Sequence, residues 1–338
     1  MRYVVNQGCH IADLEILHPG VRLHQGLSHR FLGQVGLAQV IDHHGNGVQV
    51  ALANQAQAAG IIPLAELGAI EKILYGSVSD KPILTRVDEV EETVYNAKQS
   101  GSIVERTEKL IDDFLISSES SPSLVFLYNT IEWSIRGELV GGNLIQRLDG
   151  LEEMVSGEVN QGPIKERIQQ LYNLTIKGQE MPVQKVESRN NQLIRVQLLD
   201  KINSNTARRG EKVAYKVIED IKVKNTLIIP KGTRGELEIT EIEEAGKMGK
   251  DGDIKIGFPQ LETIDGSDLA VAIRKEAQQE NESQKFAIGA SVLGTAILGL
   301  PGVVAGYFVE GKDEEIPAGS EMYIQVTESK ELYGVVVK

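Results

Sequence analysis

The sequence predicts an α+β protein: N-terminal antiparallel short-helix repeats followed by a C-terminal β-barrel or β-sandwich domain with an inserted apolar helical hairpin. Three observations predict it. A 20-residue unit occurs four times in register, opening at Ile70-Glu71, Val90-Glu91, Ile131-Glu132 and Leu151-Glu152. From residue 193 onward the pattern changes to alternating, β-branched runs. Within that half, the 24 residues from Phe286 to Val309 carry no charge. A repeat whose fixed columns are apolar residues, Gly and one Glu–Arg pair describes how a scaffold is built, so the first question is architectural.

A length of 338 residues with 41% hydrophobic content suffices for packed cores in two or three domains. The formal charge of −13 argues against a nucleic-acid partner, because no segment concentrates the Lys and Arg that phosphate binding needs. Acidity of this kind favours solubility. The single Cys9 can form no internal disulfide and leaves no CxxC pair for zinc or redox chemistry.

Residues 1–62 differ from the rest. All six histidines (His10, His18, His24, His29, His43, His44) and Cys9 lie there, whereas the first lysine is Lys72. A metal site from His43, His44, Asp42, Cys9 and His10 has suitable ligand types but no recognised spacing, so no metal is assigned. The expectation is a leader or poorly ordered extension. Ala51 to Ala58 has small-x-small character like a signal-peptidase site, but Val40 to Val50 is interrupted by Asp42, His43 and His44, which an apolar signal core would not tolerate.

Residues 63–178 are expected to form the repeat domain. Apolar residues recur at three and four positions, as in Leu84, Val87, Val90, Val94 and Leu144, Leu148, Leu151, Val155, which is the helical period. Helices are expected over 64–75, 83–95, 102–116, 124–136, 143–156 and 163–177. Gly76, Asn96, Gly137 and Gly157 follow the last apolar turn of their copies, where a left-handed residue closes a helix. Pro82 and Pro163 stand near helix starts, where a missing N–H is harmless. Ten residues after each closing residue comes Arg86, Arg106, Arg147 or Arg167. Each Arg is expected to pair with Glu71, Glu91, Glu132 or Glu152, or with the carbonyls ending the preceding helix, tying one turn to the next. Four equivalent copies point to structure rather than catalysis. The joint 117–122, Ser-Ser-Glu-Ser-Ser-Pro, separates two three-helix groups. Trp133, the only tryptophan, falls in an apolar phase and reads as core.

After an expected linker at 179–192, the β domain spans 193–331, with strands expected at 193–199, 212–217, 226–229 and 235–242. Ile228-Ile229-Pro230-Lys231-Gly232-Thr233 and Glu315-Ile316-Pro317-Ala318-Gly319-Ser320 echo one another, each a Pro-Gly turn feeding a strand. Gly246, Gly249 and Gly252 lack a following helix and read as a hairpin loop, not a phosphate cradle. The insert 286–309 is long enough to span ~30 Å of hydrocarbon as one helix of roughly 20 residues. Pro301-Gly302 would instead split it into two arms. Phe286, Gly289, Gly294, Gly299, Gly302 and Gly306 are the residues expected to make membrane or self-association contact, the small ones by permitting close helix approach. A helix buried over the mouth of the β domain is the other reading.

Two resemblances follow from these motifs. Ile70-Glu71-Lys72-Ile73-Leu74-Tyr75-Gly76 with Leu84-Thr85-Arg86-Val87, and the three later copies, resemble short helical repeats of bacterial envelope and surface proteins, which implies a spacer or interaction module. The order Ile229-Pro230-Lys231-Gly232-Thr233, apolar insert, Ile316-Pro317-Ala318-Gly319-Ser320 resembles the C-terminal barrel of the outer-membrane channel subunit of type IV secretion and conjugation systems. That resemblance implies a barrel with a helical hairpin inserted between late strands. No cytoplasmic anchor helix or proline-rich stretch precedes the domain, which departs from that family.

Beyond Lys72 there is no histidine or cysteine, and Asp265 and Asp268 around Gly266 read as solvated turn carboxylates, so no catalytic residue, cofactor site or small-molecule substrate is assigned and an enzyme is not expected. The expected role is a non-enzymatic bacterial cell-envelope structural or assembly protein. Its helical spacer presents a β domain whose Gly-rich arm contacts a membrane, self-associates, or meets another envelope protein, in the periplasm or at the outer membrane. The alternative is a soluble binding module, exported or cytoplasmic, with the arm buried as core.

Overall fold

The computed structural model describes residues 62–176, 182–203, 206–243, 252–284, 307–311 and 315–337, together with three strands before residue 52. The chain divides into two units, 1–61 and 62–338. In the first, strands β1 (Arg22–Leu23), β2 (Leu37–Ile41) and β3 (Gly47–Ala51) pair antiparallel with β2 in the middle. The histidines, Cys9 and most of the Ala51–Ala58 stretch lie outside the described residues.

The second unit is α+β, with helices first and then antiparallel sheets that form a nearly closed barrel. Helices α1 (Leu64–Tyr75), α2 (Ile83–Tyr95), α3 (Ile103–Phe114), α4 (Leu124–Arg136), α5 (Leu144–Ser156) and α6 (Ile164–Thr175) form the array. Their ends follow from local chemistry. Ser102 with Glu105, and Asn143 with Gln146, make reciprocal capping boxes, and the Ser123 hydroxyl accepts from the Phe126 N–H. Gly76, Asn96, Gly137 and Gly157 close their helices at φ of 86°, 58°, 72° and 79°.

Loop length alone suggests that each helix packs on its successor. Three successive pairs do, α2 with α3, α3 with α4 and α5 with α6, but α1 packs on α3 and α5, and α6 on α2 and α4. One core runs through all six helices, from Leu67 and Ile70 to Ile168 and Leu171, so the two expected groups share a single interior. The joint 117–122 is a compact turn across which the Ser123 N–H donates to the Ser117 hydroxyl at 3.1 Å.

The β part opens with β4 (Val183–Glu187), inside the stretch expected to be a linker. It shows no alternation to read: Val183 and Val186, three positions apart, are half-buried and the other three residues are exposed. Then come β5 (Leu193–Leu198), β6 (Ile202–Asn203), β7 (Lys212–Val217), β8 (Ile221–Val223), β9 (Thr226–Ile229), β10 (Arg234–Glu243), β11 (Gly252–Gly257), β12 (Leu261–Glu262), β13 (Asp268–Leu269) and β14 (Val271–Ala272). Helix α7 (Lys275–Gln284) and strands β15 (Tyr307–Gly311), β16 (Glu315–Ile316), β17 (Glu321–Val326) and β18 (Glu331–Val336) follow. The main sheet runs β13-β12-β10-β7-β5-β17-β14, and its two edges, β13 and β14, are joined through Ala270 alone. That covalent link brings the edges together. The Thr327 N–H bonds the Ala270 carbonyl at 3.0 Å, and Tyr215, Phe258, Leu237 and Ile324 fill the interior. A second sheet, β4-β18-β9-β8, stands beside it.

Strand register fixes the two ends of the barrel. Strands β5 and β7 are antiparallel, with Val196 opposite Val217 and Leu198 opposite Tyr215, so the C-terminal ends of these two strands lie at opposite ends. The 230–233 turn bonds the Val217 end, and the 317–320 turn bonds the Leu198 end. Helix α7 covers the edge of β17. The Asn281 side chain donates to the Tyr323 carbonyl at 3.0 Å and accepts from the Tyr323 N–H at 2.7 Å, as a neighbouring strand would. Farther toward its N-terminus, the Ala277 N–H donates to the Gln325 amide oxygen at 2.9 Å, so α7 runs toward the Leu198 end. Past Glu238, β10 continues as a ribbon with β11, and β15 pairs with β11 there. Residues 285–306, with Phe286, Gly289, Gly294, Gly299, Gly302 and Gly306, lie outside the described residues. Residues 307–309, the last three of the expected insert, belong to β15. Among the described residues no helix is long and apolar enough to cross a membrane.

Candidate functional site

The four Glu–Arg pairs of the repeat form a ladder inside the array. Glu71 accepts from Arg86 Nε at 2.9 Å and Nη2 at 2.8 Å, and Glu91 from Arg106 Nε at 3.1 Å and Nη2 at 2.5 Å. Glu132 accepts from Arg147 Nη2 at 2.5 Å, and Glu152 from Arg167 Nη2 at 2.7 Å and Nε at 3.1 Å. Each Glu also accepts the backbone N–H eight residues on, from Ser79, Gln99, Val140 and Asn160 at 3.2, 2.9, 3.3 and 3.0 Å. One carboxylate therefore holds both the loop after its own helix and the start of the next.

A further column escaped the sequence reading. Arg106, Arg147 and Arg167 each reach a second partner, Asp88 at 2.6 Å, Asn129 at 3.0 Å and Asp149 at 2.5 Å, always three residues before the ladder Glu. Gly68 occupies that column in the first copy. The polar residue at that spacing was the available signal. Hydrogen bonds from Arg106 and then Lys98 hold the Asp88 carboxyl below the usual carboxylate range. The Tyr128 hydroxyl donates to Glu132 at 3.0 Å, its ring lies 4.9 Å from the Arg147 guanidinium, and burial pushes its phenol pKa up.

The ladder carboxylates are at most 1% exposed. A ligand arriving from solvent cannot reach them, and their acceptor sites already serve Arg and backbone donors. Such an arrangement can bear load and fix geometry; it has no vacant group for acid–base or nucleophilic work. Among the described residues no cluster of three or more His, Cys, Asp or Glu could hold a metal ion.

The second feature is the junction where α4 and its following loop meet the Val217 end of the barrel. Phe126 is buried with Leu227, Ile264 and Val335, and Trp133 and Tyr333 pack on that cluster. Trp133 Nε1 donates to both Asp220 oxygens at 3.1 and 3.2 Å, while Asp220 also accepts the Lys231 N–H at 2.8 Å. Trp133, half-buried, thus ties helix to barrel rather than filling the helical core. Asn129 donates to the Ile264 carbonyl at 3.1 Å. The Leu139 N–H donates to the Lys231 carbonyl at 2.8 Å, and Lys231 Nζ pairs with Glu138 at 3.3 Å.

Gly232 makes this approach feasible. It adopts φ +85°, and a Cβ there would stand 2.1 Å from the Leu139 carbonyl oxygen. Asp265, expected as a solvated carboxylate, is instead 2% exposed and accepts from the Thr263 hydroxyl at 2.5 Å and the Ser267 and Tyr333 N–H groups at 3.1 and 2.7 Å. Its turn had unmet backbone donors on both sides, which a sequence-local view of a Gly-containing loop does not display. Asp268 is exposed.

Fold and site together define a helical array with a saturated ion-pair ladder, docked on one end of a small antiparallel barrel. No protein-family model and no curated protein matches the chain. Among solved structures it is similar to ComB10 of the Com type IV secretion system of Helicobacter pylori, at 18% identity over 42% of this chain and 88% of that chain, with a TM-score of 0.24. Superposition at that level does not establish a shared fold.

Proposed function

We propose that the chain is a non-enzymatic assembly protein of the bacterial cell envelope, periplasmic or associated with the outer membrane. In this reading its docked helical array and its apolar segment work at opposite ends of one barrel. The observation that carries it is the register of the β domain. The array meets the Val217 end, whereas α7, which precedes residues 285–306, runs toward the Leu198 end and β15, which follows them, lies past it. A body built this way holds two contact surfaces at fixed separation, which suits a structural link better than a catalyst. The envelope location rests on the order of the Ile229–Thr233 turn, the apolar run and the Ile316–Ser320 turn in the sequence. Phe286, Gly289, Gly294, Gly299, Gly302 and Gly306 would supply the contact with lipid, with a second copy, or with another envelope protein. The soluble binding module remains the second reading, in which the same segment covers the barrel.

Flotation with vesicles of bacterial envelope lipid separates the two. The full chain is expected to float, and a chain with 286–306 replaced by a short Gly-Ser link to remain at the bottom while keeping its thermal midpoint. Equal flotation of both, or solubility of both as monomers, would remove the membrane-contact and self-association readings of the segment. A deletion that also collapsed the thermal midpoint would favour the buried-core reading.

A further inference from the structure

The two Pro-Gly turns of the barrel have the same geometry, yet among the described residues only one is occupied. In the first, Gly232 sits at φ +85° and donates to the Val217 carbonyl at 2.7 Å; in the second, Gly319 sits at φ +89° and donates to the Leu198 carbonyl at 2.8 Å. The closing bonds match as well, Thr233 N–H to Pro230 and Ser320 N–H to Pro317, both 3.2 Å. The first turn is covered by the Leu139 backbone, which lies against Gly232 and donates to Lys231. Ala318 and Gly319 are exposed, and among the described residues nothing comes within 4 Å of where a Gly319 Cβ would be.

The loop that fills the first turn also has a twin. Gly137 to Val140 follows α4 as Gly76 to Ser79 follows α1, 61 residues earlier, and each is pinned by its ladder glutamate through the Val140 or Ser79 N–H. Val78 stands where Leu139 stands. It is 57% exposed, and among the described residues its N–H has no acceptor and the Ala318 carbonyl no donor. One loop–turn pair is joined inside the chain, and among the described residues its second loop and second turn are both open.

We infer that the Val78 loop of one copy docks on the Pro317–Ser320 turn of a second copy, repeating between chains the contact that Leu139 makes within one. The two turns lie at opposite ends of the barrel and the array's described contacts with the main sheet are at the Val217 end, so the free turn faces away from its own array and the contact is intermolecular and head-to-tail. Ser77 and Ala318 stand where Glu138 and Lys231 pair, so no charge is buried there. Lys72 and Lys201 stand in the places of Trp133 and Asp220, so the flanking hydrogen bond is lost and the contact is weak and reversible. The inference deepens the assembly reading above and rests on it, but it does not involve the apolar segment.

Cross-linking of mixed single-cysteine chains tests it. In full-length protein with Cys9→Ser, chains carrying Val78→Cys are mixed with chains carrying Ala318→Cys under a mild oxidant. Heterotypic dimer is expected several-fold above either homotypic dimer, and above a control pair with Lys98→Cys, the charged counterpart in the next loop. Equal yields across these pairs, or no heterotypic dimer, would overturn the inference. The same yield is expected when 286–306 is replaced; loss of the cross-link there would place the contact on the apolar segment and also overturn it. Flotation that depends on 286–306 together with an absent cross-link would leave the assembly reading standing without this interface.

Discussion

Replacing Arg167 with Met is expected to destabilise the chain by about 3–5 kcal/mol, read from the urea midpoint, because it leaves a buried carboxylate without its cation. Glu152 is 0% exposed and Arg167 6%, so water cannot take over the lost bonds. Asp149, the other Arg167 partner, has a side chain 42% exposed and solvates without penalty, which assigns the cost to Glu152. Adding Glu152→Gln removes the orphaned charge while an amide oxygen still accepts from the Asn160 N–H. The double variant is therefore expected to be more stable than Arg167→Met alone. A single-variant cost below about 1 kcal/mol would mean that the ladder behaves as a surface ion pair.

Gly232→Ala is expected to have the second large effect, with Gly319→Ala as its internal control. Both positions are left-handed, so both substitutions carry the backbone cost of about 1–2 kcal/mol. Only at Gly232 does the new Cβ meet backbone, 2.1 Å from the Leu139 oxygen, which adds an overpacking cost of about 1–3 kcal/mol or expels the loop. Trp133 is the sole tryptophan and bonds Asp220, so its emission reports the junction directly. Gly232→Ala should shift that emission toward the solvated indole, while Gly319→Ala leaves it unchanged. Identical spectra and midpoints for the two variants would contradict the docking geometry.

The helices were legible because their signals are local. Leu64–Tyr75, Ile83–Tyr95 and Leu124–Arg136 have the boundaries that apolar period and closing Gly or Asn indicate, and the other three fall within two residues. The Glu–Arg spacing was visible because side-chain type recurs with it. The loop N–H that each Glu accepts was not, since any residue supplies one. The junction left still less trace. Asn129 meets Ile264 across 135 positions and Trp133 meets Asp220 across 87, and no periodicity records such pairs. For the same reason 179–192 read as a linker although β4 pairs with β18 at the far end of the chain. The array, expected as a spacer or docking surface that presents the β domain, is packed against it.

Hydrogen exchange across the second unit tests that packing most directly. The account predicts that amides of α4, residues 124–136, lose protection together with those of β9 and β18 along a rising urea series, as one cooperative unit. Exchange of α4 at low urea while β9 and β18 stay protected would show that the array and barrel open independently, and would contradict a single docked body.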